Sequence, residues 1–184
     1  MLKEFNTPKL INIDELKKIQ WKRLKSQIKY CYDNSPLYYR KKFDEIGVQP
    51  EDVKTWKDFQ NLPIMGGKEE ERASQEESID KLGHPYGTYL CAPPEKILWI
   101  SSTGGTTGTP TFTYLATNND IKIMEQSMGR IFDWVGLKPG DLVANLFAQS
   151  MHAFGFQLNH CLVNAGLCTI PLGAEAGSER MLGM

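Results

Sequence analysis

Leu16, Ile19, Leu24, Ile28 and Cys31 recur at helical spacing, and the spacing predicts a helix over residues 14–32 with Asp14 at its N-cap. Its other side carries Lys17, Lys18, Lys22, Arg23, Lys25 and Lys29. A basic stripe of this kind could touch RNA or acidic lipid, but acidic residues balance the chain elsewhere and the stripe reads as a solvated helix face. Asn34-Ser35-Pro36 reads as a stop and a restart, with Ser35 capping and Pro36 in the first turn of a helix over 37–43. Gly47 closes that helix, and Pro50 opens a third short element with Val53, Trp56 and Phe59 as its buried side. Residues 67–82 are charged and poor in apolar residues, so the pattern predicts an exposed helix or a mobile connector.

The second half alternates in type. Ile97-Leu98-Trp99-Ile100 and Phe112-Thr113-Tyr114-Leu115 read as strands on either side of a glycine-rich turn. Thr117 caps an amphipathic helix over 118–135, with Ile121, Met124, Met128, Ile131 and Val135 as its core face. Gly136 ends it, and Lys138-Pro139-Gly140-Asp141 turns into a strand over 142–147. A helix over about 154–166 is apolar on nearly all sides and is expected to be buried, and Cys168-Thr169-Ile170-Pro171 is a further strand. Strand, helix, strand argues for an α/β layer with parallel pairing. The pattern divides the chain into a helical segment, 1–82, and an α/β segment, 83–184.

Composition changes this picture little. With 41% hydrophobic and 23% charged residues in 184, and a formal net charge of −1, the values are globular and give no general reason to bind nucleic acid or an anionic membrane. Cys31, Cys91, Cys161 and Cys168 are far apart in sequence and form no Cys-x-x-Cys, which favours free thiols in a reducing compartment over a disulfide frame. His160-Cys161 and Cys168 lack zinc spacing, so no metal site is expected. The start of the chain lacks a signal-peptide pattern and no apolar run reaches membrane length, so a cytoplasmic protein without a membrane partner is expected.

The candidate chemistry lies in Ser101-Ser102-Thr103-Gly104-Gly105-Thr106-Thr107-Gly108-Thr109-Pro110-Thr111. Glycines let the backbone approach a ligand closely, so successive N–H groups can point into one concavity suited to phosphate. Hydroxyls add donors, and Pro110 stiffens the exit. Neither a Walker loop nor the dinucleotide fingerprint fits: no lysine stands between Lys96 and Lys122, and the glycines fall at 104, 105 and 108. On composition alone the stretch reads first as a mobile Gly/Thr hairpin loop, because such turns are common.

Gly105-Thr106-Thr107-Gly108-Thr109-Pro110 resembles the phosphate-binding loop of adenylate-forming enzymes, Ser/Thr-Ser-Gly-Thr-Thr-Gly-x-Pro. Gly104 replaces the usual Ser or Thr, and Thr109 replaces a frequent Lys. Asn34-Ser35-Pro36-Leu37-Tyr38-Tyr39-Arg40, Gly47-Val48, Leu62-Pro63, Lys68 to Arg72 and His84-Pro85-Tyr86-Gly87 are similar, in order, to the N-terminal segment of phenylacetate–CoA ligases. So are Pro139-Gly140-Asp141 and Ile170-Pro171. The resemblance implies an α/β fold, a helical N-terminal arm followed by the first part of an adenylate-forming domain with a partly parallel sheet flanked by helices.

It implies further that Ser102, Thr103, Gly104, Gly105, Thr106, Thr107, Gly108 and Thr109 bind the phosphates of ATP, and that His152, Phe154 and Phe156 line a pocket for the carboxylic acid. His152 read as a cap and the phenylalanines read as core are the structural alternatives. In the family, a carboxylate attacks ATP to give acyl-AMP and pyrophosphate, CoA then displaces AMP, and Mg2+ offsets the phosphate charge. The family's adenine, ribose and catalytic-lysine motifs lie beyond residue 184. The chain alone is therefore expected to hold no catalytic residue, to be inactive, and to associate with itself or with a C-terminal portion. Two other readings stay open: a phosphate-binding interaction module without catalysis, and an unrelated kinase or NTPase.

Overall fold

In the computed structural model, residues 12–64, 66–102, 114–150 and 154–183 are described, Met181 by its backbone only. They form two compact units that divide between Lys96 and Ile97.

The first unit is helical. α1 (Ile13–Asn34) is capped by Asn12, whose side chain accepts the Asp14 N–H at 2.9 Å. Asp14 is thus inside the first turn and not the cap, where its charge favours the helix dipole. Ser35 restarts the chain as expected: it caps a π-helical turn, Pro36–Arg40, that runs into α2 (Lys41–Glu45). The predicted third element is two pieces, a 3₁₀ turn Pro50–Asp52 and α3 (Trp56–Gln60), the latter capped reciprocally by Thr55 and Asp58. Ile28, Phe43 and Val53 form the core, with Trp21, Leu24, Tyr32, Val48 and Leu62 packed around them. Trp56 and Phe59 are exposed, contrary to expectation. The break after Asp52 turns α3 so that Trp56 pairs with Trp21 at 5.1 Å on the surface.

Residues 67–82 are neither a connector nor a wholly exposed helix. α4 (Lys68–Leu82) buries a polar face: Ser74, Gln75 and Ser78. Ser78, 0% exposed, holds the carbonyls of Gln75 and His84 at 2.8 and 2.7 Å and accepts the Gly87 N–H at 3.0 Å. Hydrogen bonding, where the sequence pattern predicts an exposed helix or a connector, fastens α4 to the segment after it.

In the second unit β1 (Ile97–Ser101) pairs antiparallel with β2 (Tyr114–Thr117), with Ser101 opposite Tyr114 and an irregularity between Ile97 and Trp99. Thr117 caps α5 (Asn118–Trp134), as the sequence suggests, and Asp120 completes a reciprocal box with it. Ile121 is buried and Met124 and Met128 pack on the core, but Phe132 takes the place predicted for Ile131. At about 100° per residue Phe132 falls within ~20° of Ile121, while Ile131 lies ~80° away. Val135 is the C-cap and is exposed.

β3 (Leu142–Asn145) and β4 (Cys168–Pro171) are parallel, joined through α6 (Gly155–Asn164), as the strand-helix-strand pattern predicts. β3 stops two residues short of the predicted 147, because the Asn145 side chain captures the Phe147 N–H at 3.1 Å. α6 is half buried and not buried all round. Cys161 and Leu162 join Phe132, Ala165 and Leu167 in the core, while Phe156 and Val163 face out. A short helix, α7 (Gly177–Leu182), ends the described chain. The architecture is α/β, with small sheets flanked by helices.

Candidate functional site

The β1–β2 hairpin brings the two ends of the glycine-threonine run together. Ser101 and Ser102, both buried, are the last described residues before it, and Tyr114 opposite Ser101 is the first after it. Of the predicted phosphate-binding residues only Ser102 is described; Thr103, Gly104, Gly105, Thr106, Thr107, Gly108 and Thr109 lie outside the described residues, as does His152.

Ser101 Oγ accepts a hydrogen bond from Gln157 Nε2 on α6 at 2.9 Å. This ties the root of the glycine-rich segment to the helix that carries Phe156. Trp99, two residues earlier on the same face of β1, meets the Phe156 ring edge-on at 5.4 Å and the His160 ring at 5.0 Å. His160 Nε2 in turn lies 2.6 Å from Glu125 Oε1 on α5. β1, α5 and α6 are therefore linked by one chain of aromatic and hydrogen-bonded contacts.

Phe154 points elsewhere, against Phe147 at 5.2 Å, where the chain leaves β3. Phe154 is 45% exposed and Phe156 56%. Both present apolar surface beside the carboxyl end of a parallel strand pair, the end at which open α/β sheets receive ligands.

That end is braced by a polar network that the sequence did not announce. Asn145, buried at the last position of β3, donates from Nδ2 to the Gly155 carbonyl at 3.0 Å and to Asn159 Oδ1 at 2.8 Å. Asn159 donates to Gln149 Oε1, and Gln149 donates its own side-chain amide to the Phe147 carbonyl at 2.7 Å. The Glu175 carboxylate accepts the Gln149 backbone N–H at 3.1 Å, and Gly173 N–H reaches the Asn145 carbonyl at 3.0 Å. The segments leaving β3 and β4 are thereby held to each other and to the start of α6. An asparagine closing the apolar run Leu142-Val143-Ala144 was the one available signal.

The thiol of Cys161 is buried, and burial followed by the Glu125 charge pushes it up to about 11. It sits in the core with an inert thiol, while Cys168 is exposed. Among the described residues no group of three or more His, Cys, Asp or Glu side chains is placed to hold a metal ion. None of the described helices is long and apolar enough to cross a membrane.

No family model matches the chain. Among characterised proteins it is 32% identical, over 173 residues, to the phenylacetate-coenzyme A ligase of Escherichia coli (strain K12), an alignment covering 92% of this chain and 32% of the relative. The chain is similar to phenylacetate–CoA ligases. The phenylacetate-coenzyme A ligase of Thermus thermophilus is 26% identical over 170 residues, covering 92% of this chain and 35% of that one. Among solved structures, 2-hydroxyisobutyryl-CoA ligase in complex with 2-HIB-AMP and CoA matches with a TM-score of 0.75 at 25% identity, over 93% of this chain and 37% of its own. The ligase-like chain thus spans about a third of the length of these relatives. These relatives are named coenzyme A ligases, the kind of protein that the ordered motifs resemble.

Proposed function

We propose that the chain is the N-terminal part of an ATP-dependent, AMP-forming carboxylate–CoA ligase acting on an aryl acid such as phenylacetate. The observation that carries this reading is the similarity to phenylacetate-coenzyme A ligase along 92% of the chain, on a fold shared with a ligase that holds an acyl-adenylate and CoA. The glycine-rich segment from Ser102 to Thr109, rooted at Ser101, is assigned to the β and γ phosphates of ATP. Backbone N–H groups and threonine hydroxyls there hold pyrophosphate in line with carboxylate attack, which is catalysis by position and by charge stabilisation. ATP brings Mg2+ as its counter-ion, and no described residue of this chain is assigned as a ligand of the metal. Phe154 and Phe156, with His152 between the strand and the helix, are assigned to the acid, the rings to its apolar tail and the imidazole to its carboxylate.

The groups that hold adenine, ribose and the α-phosphate are not among the residues assigned here. A single well-placed charge in such a site is worth about 10²–10³ in rate, so these residues by themselves are expected to give no acyl-adenylate. The test is ATP–pyrophosphate exchange by the complete gene product with a panel of aryl and short acyl acids. Exchange that depends on an aryl acid and is lost in Gly108→Val supports the assignment, because a side chain at Gly108 blocks the phosphate. Undiminished exchange by a folded Gly108→Val protein overturns the phosphate-loop assignment. Nucleotide binding without acid-dependent exchange would favour a non-catalytic module.

A further inference from the structure

In the helical unit the end of α1 and the segment from Thr88 to Cys91 are laid against each other, through pairs 53 and 61 residues apart in sequence. Tyr30 Oη donates to the Cys91 carbonyl at 2.8 Å, and the buried Ser35 Oγ donates to the Thr88 carbonyl at 2.8 Å. Cys31 lies between these two clamps on α1, and of the groups around it the Cys91 thiol acts most strongly on its ionisation. Neither cysteine is in a disulfide, and both are partly exposed. Cys31 also lines an open cavity of about 460 Å³, with Leu24, Ile28, Tyr39, Phe43 and Leu62 among its walls.

We infer that Cys31 and Cys91 form a peroxide-reactive dithiol, a modification site at which hydrogen peroxide converts the two thiols into an intramolecular disulfide joining α1 to the 88–91 segment.

The surroundings assign different roles to the two sulfurs. The Gln27 side-chain amide donates to Cys31 Sγ at 3.3 Å, which favours its thiolate. Cys91 Sγ faces the Tyr89 carbonyl oxygen at 3.4 Å, which favours its protonated form. In keeping with that, the Cys91 thiol and then Gln27 hold Cys31 down at about 6 against the opposing effect of burial, while the Cys31 thiolate and burial raise Cys91. Tyr39 is the other titratable group facing the pair; burial and the nearby sulfurs push it up to about 12, so it is neutral wherever Cys31 ionises.

The chemistry balances with peroxide as the only oxidant. The Cys31 thiolate attacks one peroxide oxygen, the O–O bond breaks, and the departing oxygen takes up a proton and leaves as water. Cys31 is then a sulfenic acid. The Cys91 sulfur attacks Cys31 Sγ, the S–O bond breaks, and the hydroxyl leaves as water with the Cys91 proton. Two thiols have lost two electrons, and one peroxide has become two waters.

The test uses the intact protein. Peptide mapping after brief peroxide treatment is expected to recover one cross-link, Cys31 to Cys91, reversed by a thiol reductant, with Cys161 and Cys168 still alkylatable. Iodoacetamide is expected to modify Cys31 with a midpoint near pH 6. At pH 6 the rate is about tenfold that of an ordinary thiol, ~150-fold more thiolate being offset by ~15-fold lower nucleophilicity. In Cys91→Ser the disulfide is lost and a sulfenic acid on Cys31 is trapped by dimedone. Four thiols retained after peroxide, a cross-link through Cys161 or Cys168, or a Cys31 midpoint in the ordinary range near about 8.5 would each overturn the inference. Because the mapping is done on the wild-type protein, it does not depend on the Cys91→Ser variant folding.

Discussion

The hydroxyl oxygens of Ser74 and Thr88 lie 2.9 Å apart in the interior of the helical unit, and both residues are almost wholly withdrawn from solvent. The Thr88 N–H adds a second bond, to Ser74 Oγ at 2.7 Å. One turn on, Ser78 serves three backbone groups, and Gly87 N–H is one of them. α4 is therefore docked by hydroxyls, and its stability depends on each of them keeping its partners.

Ser78→Ala is expected to destabilise the protein by about 1–3 kcal/mol, the cost of leaving the buried Gly87 N–H and its neighbouring carbonyls unpaired. Alanine is the better helix former, by a few tenths of a kcal/mol, and that gain is too small to offset the loss. The midpoint of urea unfolding should fall with no change in its slope. An unchanged midpoint would mean that water replaces the hydroxyl and that α4 is held by something else.

Where the sequence was legible, a local rule was at work. Ser35 before Pro36, Thr117 three residues before Asp120, and glycines closing helices each act within a few residues, and the structure has each in place. The parallel pairing of β3 with β4 followed from strand, helix, strand in order. What stayed illegible is polar pairing between distant segments. Ser74 with Thr88, Asn145 with Asn159, Gln149 with Glu175 and Cys31 beside Cys91 have no periodic apolar signature. In sequence the polar face of α4 is accordingly indistinguishable from a surface. The phenylalanines near the candidate acid pocket were ambiguous for a related reason: an apolar residue beside a ligand site and one in the core look the same in sequence.

Gly155 isolates the importance of close approach at the start of α6. Its backbone is not left-handed, so alanine is conformationally allowed there. Yet a Cβ at this position would overlap the Ala148 carbonyl, in the segment that leaves β3. Alanine in place of glycine gains about 1 kcal/mol within a helix, while overpacking against backbone costs about 1–3 kcal/mol and cannot be relieved by a rotamer change. Gly155→Ala is therefore expected to be destabilising overall. It should also weaken acid-dependent pyrophosphate exchange more than nucleotide binding, because Phe147 and Phe154 move with the displaced segment. A Gly155→Ala protein as stable as the wild type would show that the segment after β3 yields easily.

The helical unit is expected to lose stability above pH 10, and Tyr39 supplies a large part of the effect. Its hydroxyl is pushed from the ordinary value of 10.0 to about 12, chiefly by burial, then by the sulfurs of Cys31 and Cys91 and by Tyr89. Tyr38 and Tyr89 are raised as well, each by burial first. In the unfolded chain these phenols ionise near about 10, whereas in the folded one Tyr39 keeps its proton. The folded state thus binds more protons between about 10 and 12, and over that window stability falls as pH rises. Below about 10 both states are protonated and the contribution is complete. Tyr39→Phe removes the ionisable group while keeping the ring, so its stability should decline less steeply with pH across that window. The measurement is urea unfolding at a series of alkaline pH values under reducing conditions, alongside phenolate absorbance. If Tyr39→Phe declines as steeply as the wild type, Tyr39 ionises freely in the folded protein and the burial argument for it is wrong.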